Sequence, residues 1–159
     1  MGEADDAHVP EVSRGGAGAL GRYRAAMASR ITELVLDCRD PAGLAAWWAE
    51  VLGYEVVGTE DDGAIEIGPP GQAPKGVIPT MLFAPVPEPT PGKLRLHLDL
   101  NATDRDQDAE LQRLLALGAT PVDVGQGPVS ETMTWHVLAD PEGNEFCLLR
   151  SRVDPAPGR

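Results

Sequence analysis

Three side chains that can hold a proton or face a ligand or metal ion stand at matched places in this sequence: Glu33, His97 and Cys147. Strict alternation in "LRLHLDL" puts Leu94, Leu96, Leu98 and Leu100 on one face of a strand, and Arg95, His97 and Asp99 on the other. In "ITELVLDC", Leu34 and Leu36 match Leu98 and Leu100, which sets Glu33 at the place of His97. In "NEFCLL", Phe146 and Leu148 share the packed side and Glu145, Cys147 and Leu149 share the other. A carboxylate, an imidazole and a thiol on one concave surface suit acid–base work, because imidazole titrates near neutrality. The same polar face also reads as the watered side of a one-sided sheet, and both readings stand at this point.

The elements that must carry these groups follow from local patterning. Asp40 is a natural N-cap and Pro41 suits the first turn of a helix whose apolar positions are Leu44, Trp47, Trp48, Val51 and Leu52, closed by Gly53. Three strand-like runs follow, "YEVVGT", "AIEIG" and "TMLFAPV", the last two separated by a Gly/Pro-rich loop. The extended linker "VPEPTPGK" leads to a second set. This has the strand "KLRLHLDLNA", a helix with Leu111, Leu114, Leu115 and Leu117 on one side, and three further strand candidates, "ATPVDVG", "TMTWHVLAD" and "EFCLLR". Setting "ELVLDCRD…LGYEVV" against "HLDLNATD…LGATPV" aligns the halves with one residue of slippage. An internal repeat of this size predicts two βαβββ modules, residues 30–86 and 93–152, in one α+β domain at 30–153. The expected form is an open, cup-shaped mixed β-sheet with its helices outside. Residues 1–29 and 154–159 are expected to be flexible tails, since the first has almost no large apolar residue before Met27.

Composition narrows the partners. The chain has 159 residues and a formal charge of -12, from 25 acidic against 13 basic residues. Acidity of that size disfavours nucleic acid and anionic membrane, which reward clustered Lys and Arg. The apolar runs are too short to span a bilayer, and no signal-peptide pattern opens the chain, so a cytoplasmic location is expected. Two cysteines make neither a disulfide framework nor a CxxC metal site. In "DPEGN", Pro141 presets the backbone and Gly143 tolerates positive φ, which predicts a tight turn between two strands. Trp135 and His136 must point to opposite sides of their strand, and one of them is expected to face the cup.

"DPAGLAAWWAEVLGYEVV", "HLDL", "LLALGATPV" and "DPEGNEFCLL" together resemble the vicinal oxygen chelate superfamily, in its glyoxalase-like branch, over residues 31–150. The resemblance implies a cup around a small-molecule site, a common tendency to homodimerise, and in glyoxalase-type members one divalent metal ion. Carried over residue by residue, the ligand positions fall on Glu33, His97 and Cys147. The last strand of the first module, "PTMLFAPV", supplies no fourth ligand. Three functions are therefore expected as alternatives. One is a metal-free, small-molecule-binding protein of the bleomycin-resistance kind. Another is a metal-dependent lyase or isomerase acting on a small carbonyl or enediolate substrate. The third is a metal-free enzyme in which Glu33 and His97 are the catalytic acid and base. Arg95, Asp99, Trp135, His136, Met81 and Phe83 are the expected ligand-binding residues in each case.

Overall fold

The computed structural model describes residues 29–73, 76–89, 96–125, 127, 130 and 134–155. Residues 32–159 form one compact unit, which carries all the regular structure among the described residues. Most of both expected tails, and Arg95, lie outside the described residues.

The repeat is present in three dimensions. The first module runs β1 (Glu33–Cys38), α1 (Pro41–Leu52), β2 (Glu55–Thr59), β3 (Ile65–Gly68) and β4 (Thr80–Pro85). The second runs β5 (Leu98–Leu100), α2 (Gln107–Ala116), β6 (Thr120–Pro121), β7 (His136–Ala139) and β8 (Glu145–Leu148). Each module forms its own open four-stranded mixed sheet, in the order β1-β4-β3-β2 or β5-β8-β7-β6. In both, the first and last strands lie side by side and parallel, while the other pairs are antiparallel. The strand expected from Lys93 onward is confined to Leu98–Leu100 among the described residues, with His97 just ahead of it.

The helices begin and end as their residues dictate. Asp40 Oδ1 accepts the Gly43 N–H at 3.0 Å, and Asp106 Oδ1 accepts that of Ala109 at 2.8 Å, so each helix has a side-chain N-cap. Gly53 closes α1 in the left-handed region at φ 66°, where any other residue would be strained.

One apolar cluster serves both modules. Leu44, Trp47 and Trp48 of α1, Ile67, Met81 and Phe83 of the first sheet, Leu114 of α2, and Leu138, Phe146 and Leu148 of the second sheet all belong to it. The Phe146 ring centroid lies 5.9 Å from that of Trp47 and 5.4 Å from that of Trp48, both edge-on. Such aromatic pairs add about 0.5–1.5 kcal/mol each beyond area burial. Leu34, Leu36, Leu98 and Leu100 pack on this cluster. By the two-residue period, Glu33 on one sheet and Asp99 and Cys147 on the other turn away from it.

The "DPEGN" turn ties the modules together. Asp140 is buried. Its Oδ1 accepts the N–H groups of Glu142 and Asn144, and its Oδ2 accepts the Trp48 indole N–H at 3.0 Å and the Asn144 amide at 2.9 Å. The Glu142 carboxylate reaches the other module and accepts the backbone N–H groups of Arg39 and Asp40. Gly143 sits at φ 90°, the positive value the turn requires.

Candidate functional site

The outward face of the second sheet carries a concavity of about 510 Å³, lined by His97, Asp99, Val124, Trp135, Val137, Cys147 and Leu149. The β5–β8–β7 pairing builds it. Asp99 lies opposite Cys147 on one side, and Val137 lies opposite Cys147 on the other. Cys147 is therefore on an inner strand, only 6% exposed, at the floor of the hollow. Its sulfur lies 3.4 Å from His97 Nδ1. On the far side of the ring, His97 Nε2 lies 3.7 Å from Glu145 Oε2. One ligand atom each from His97, Asp99 and Cys147 gathers so that all lie within 4.8 Å of one another. Valines, Leu149 and the Trp135 ring form the apolar remainder of the wall.

Several expected site residues stand elsewhere. Glu33 belongs to β1 of the other sheet, paired with Thr80, and is not among the gathered donors. Asp99 and Cys147 are instead paired with each other in the second sheet. Asp99, expected only as a ligand-binding residue, takes the third donor place. Met81 and Phe83 do not line the hollow. They are 3% and 0% exposed and sit in the apolar cluster, because β4 is apolar on both sides and its phase cannot be read from composition. Of the Trp135–His136 pair, Trp135 faces the hollow. His136 is in phase with the buried Leu138 and lies opposite Leu148, so it belongs to the packed side. Arg95 lies outside the described residues. Val124, Val137 and Leu149 of the lining, and Glu145 behind His97, were not among the expected site residues. Alternation from Cys147 marks Glu145, but only the β7–β8 register brings Val137 in.

The donor set fits a divalent ion of the zinc type. Zinc takes thiolate, imidazole and carboxylate in tetrahedral sites, with Zn–S near 2.3 Å and Zn–N about 2.0–2.1 Å, so its S-to-N edge is about 3.5 Å. The 3.4 Å between Cys147 Sγ and His97 Nδ1 is of that size. A carboxylate behind the other imidazole nitrogen, as Glu145 is here, is the usual outer support of a metal-binding histidine. Among the described residues no helix is long and apolar enough to cross a membrane.

The comparisons agree with this architecture. A search of curated proteins finds no sequence match. Among solved structures, a mutant of the genomically encoded fosfomycin resistance protein FosX from Listeria monocytogenes, complexed with Mn(II) and 1S,2S-dihydroxypropylphosphonic acid, matches with a TM-score of 0.58 at 14% identity, over 77% of this chain and 90% of that one. FosX from Mesorhizobium loti gives 0.58 at 12%, over 80% and 95%. A glyoxalase/bleomycin resistance protein/dioxygenase family enzyme from Burkholderia phytofirmans gives 0.55 at 18%, over 76% and 97%. Identities this low speak to fold alone. The family profile described as a glyoxalase-like domain matches residues 33–149, and the chain belongs to that family, within the vicinal oxygen chelate superfamily.

Proposed function

We propose that the protein acts on a small molecule in the hollow of the second sheet, with one divalent metal ion held by His97, Asp99 and Cys147, as a lyase- or isomerase-type member of its family. The observation that carries this is the convergence of three different donors at the floor of a cavity. Three protein ligands with room for a further one is the pattern of a catalytic rather than a structural site. A bound ion supplies Lewis acidity toward a carbonyl or enediolate oxygen. The chain's own residues do the rest. Trp135, Val137 and Leu149 bury the apolar part of the ligand and exclude water. Glu145 supports the imidazole of His97 from behind. The FosX neighbour in complex with Mn(II) and a small phosphonic acid supports the coarse reading of a metal beside a small ligand.

Glu33 has a place in this reading through a second copy. We infer a homodimer in which the outward face of the first sheet, with Glu33 and the 57%-exposed Val35, covers the partner's hollow. Exposed apolar residues on a sheet face favour such pairing. The partner's Glu33 would then serve as the acid–base group.

A second reading is sequestration of an amphipathic molecule without metal, favoured by the apolar wall of Val124, Trp135, Val137 and Leu149. Metal analysis of untagged protein, purified without added metal and then reloaded, separates the two. A stoichiometric ion lost in His97→Ala supports the metal centre. Failure to bind any divalent ion, with a ligand still held in the hollow, supports sequestration instead.

A further inference from the structure

Here the floor of the hollow carries a sulfur donor, whereas its FosX neighbour is complexed with Mn(II). We propose that this centre is thiophilic, made for a zinc-type ion, and that Cys147 is the residue that selects the metal. The proposal rests on the reading of His97, Asp99 and Cys147 as a metal centre, and narrows it to one class of ion.

Cys147 cannot easily turn aside. It lies on β8 between β5 and β7, with Asp99 opposite on one side and Val137 on the other. Inner-strand pairing on both edges fixes the backbone, and the two-residue period fixes the side of the sheet on which the sulfur stands. The same period places Glu145 two residues earlier on that side, where it meets His97 Nε2 at 3.7 Å. That contact leaves Nδ1 as the nitrogen turned to the sulfur, at 3.4 Å. Register thus sets the thiol donor and the outer support of the imidazole together.

Ligand softness then decides the ion. Carboxylate, carbonyl and water suit magnesium, calcium and manganese, whereas a thiolate suits zinc and softer ions. Binding replaces the S–H bond with a metal–sulfur bond, and the proton leaves to solvent. Zinc outranks manganese at almost any site of nitrogen, oxygen and sulfur. A bare preference for zinc therefore decides nothing. The diagnostic quantity is how far the preference depends on the sulfur.

The test uses the full chain stripped of metal, with Zn(II) and Mn(II) competition titrations and the absorption spectrum of the Co(II) form. The native protein is expected to give a sulfur-to-cobalt charge-transfer band. Cys147→Asp is expected to lose that band, and its zinc-over-manganese affinity ratio should fall roughly tenfold or more, because a carboxylate in place of the thiolate suits manganese better and zinc less well. Glu145→Gln should weaken both ions together, about 10–100-fold. A Co(II) complex of the native chain without a sulfur band overturns the proposal, and needs no variant to fold. So does an unchanged affinity ratio in Cys147→Asp. If no divalent ion binds the native chain at all, the metal-centre reading fails along with it.

Discussion

Cys38 and Cys147 show how position alone divides two identical side chains. Cys38 ends β1 fully buried, with its thiol donating to the Ala84 carbonyl at 3.6 Å. Burial first, then the carboxylates of Glu142, Asp40, Asp37 and Asp140, push its pKa up to about 11. The folded protein therefore keeps a proton on Cys38 that the unfolded chain loses near pH 9. Above that pH the unfolded state binds fewer protons, so this contribution to stability is intact below pH 9 and is lost as pH rises toward 11. Denaturant melts across this window should show a decline that Cys38→Ala flattens. A second prediction at this scale concerns Asp140. Asp140→Ala leaves the buried Trp48 indole N–H without its acceptor, at a cost of about 1–3 kcal/mol for that group alone. Urea unfolding should show a lower midpoint with an unchanged slope. In the sequence, alternation is enough to bring His97, Asp99 and Cys147 to the outward side. It cannot show that Asp99 rather than Glu33 meets Cys147, because the parallel β5–β8 register is a long-range pairing. Nor can it phase β4, where "TMLFAP" gives no polar side to read.

At the scale of elements, the two helices are coupled through Arg113. Its guanidinium donates to the carbonyls of Glu50 and Val51 at 3.1 and 2.9 Å, groups that the end of α1 leaves without helical partners. It also binds Glu110 within α2 at 2.7 and 2.9 Å. Arg113→Ala should destabilise by about 1.5–3 kcal/mol, the range for hydrogen bonds to a charged group. Arg113→Lys should not restore the loss, since a single ammonium cannot reach both the carbonyls and the carboxylate as the planar fork does. Chemical denaturation of both variants checks this. A full rescue by lysine would show that charge alone matters. Caps and turns were legible beforehand in Asp40, Gly53 and Gly143, because they are local. The shortness of β5 and β6 was not, since strand length depends on what each strand meets across the sheet.

At the scale of the molecule, the repeat in the sequence carried the architecture: two copies of one pattern became two sheets joined by one core. Light scattering at micromolar concentration and moderate salt should give twice the 16.8 kDa of one chain. Two chains of formal charge -12 repel, but salt screens exposed charges over about 8 Å at physiological strength. A mass of one chain would remove the partner's Glu33 from the site and leave the hollow open on that side.

His97, Asp99 and Cys147 are proposed to hold one ion at the floor of the hollow. X-ray absorption at the zinc edge of the reconstituted full-length protein reads those donors directly. One sulfur neighbour near 2.3 Å and nitrogen or oxygen neighbours at about 2.0–2.2 Å are expected, with the sulfur shell absent in Cys147→Asp. A zinc ion surrounded only by light atoms, or a sulfur shell that survives that substitution, would overturn this assignment of the donors.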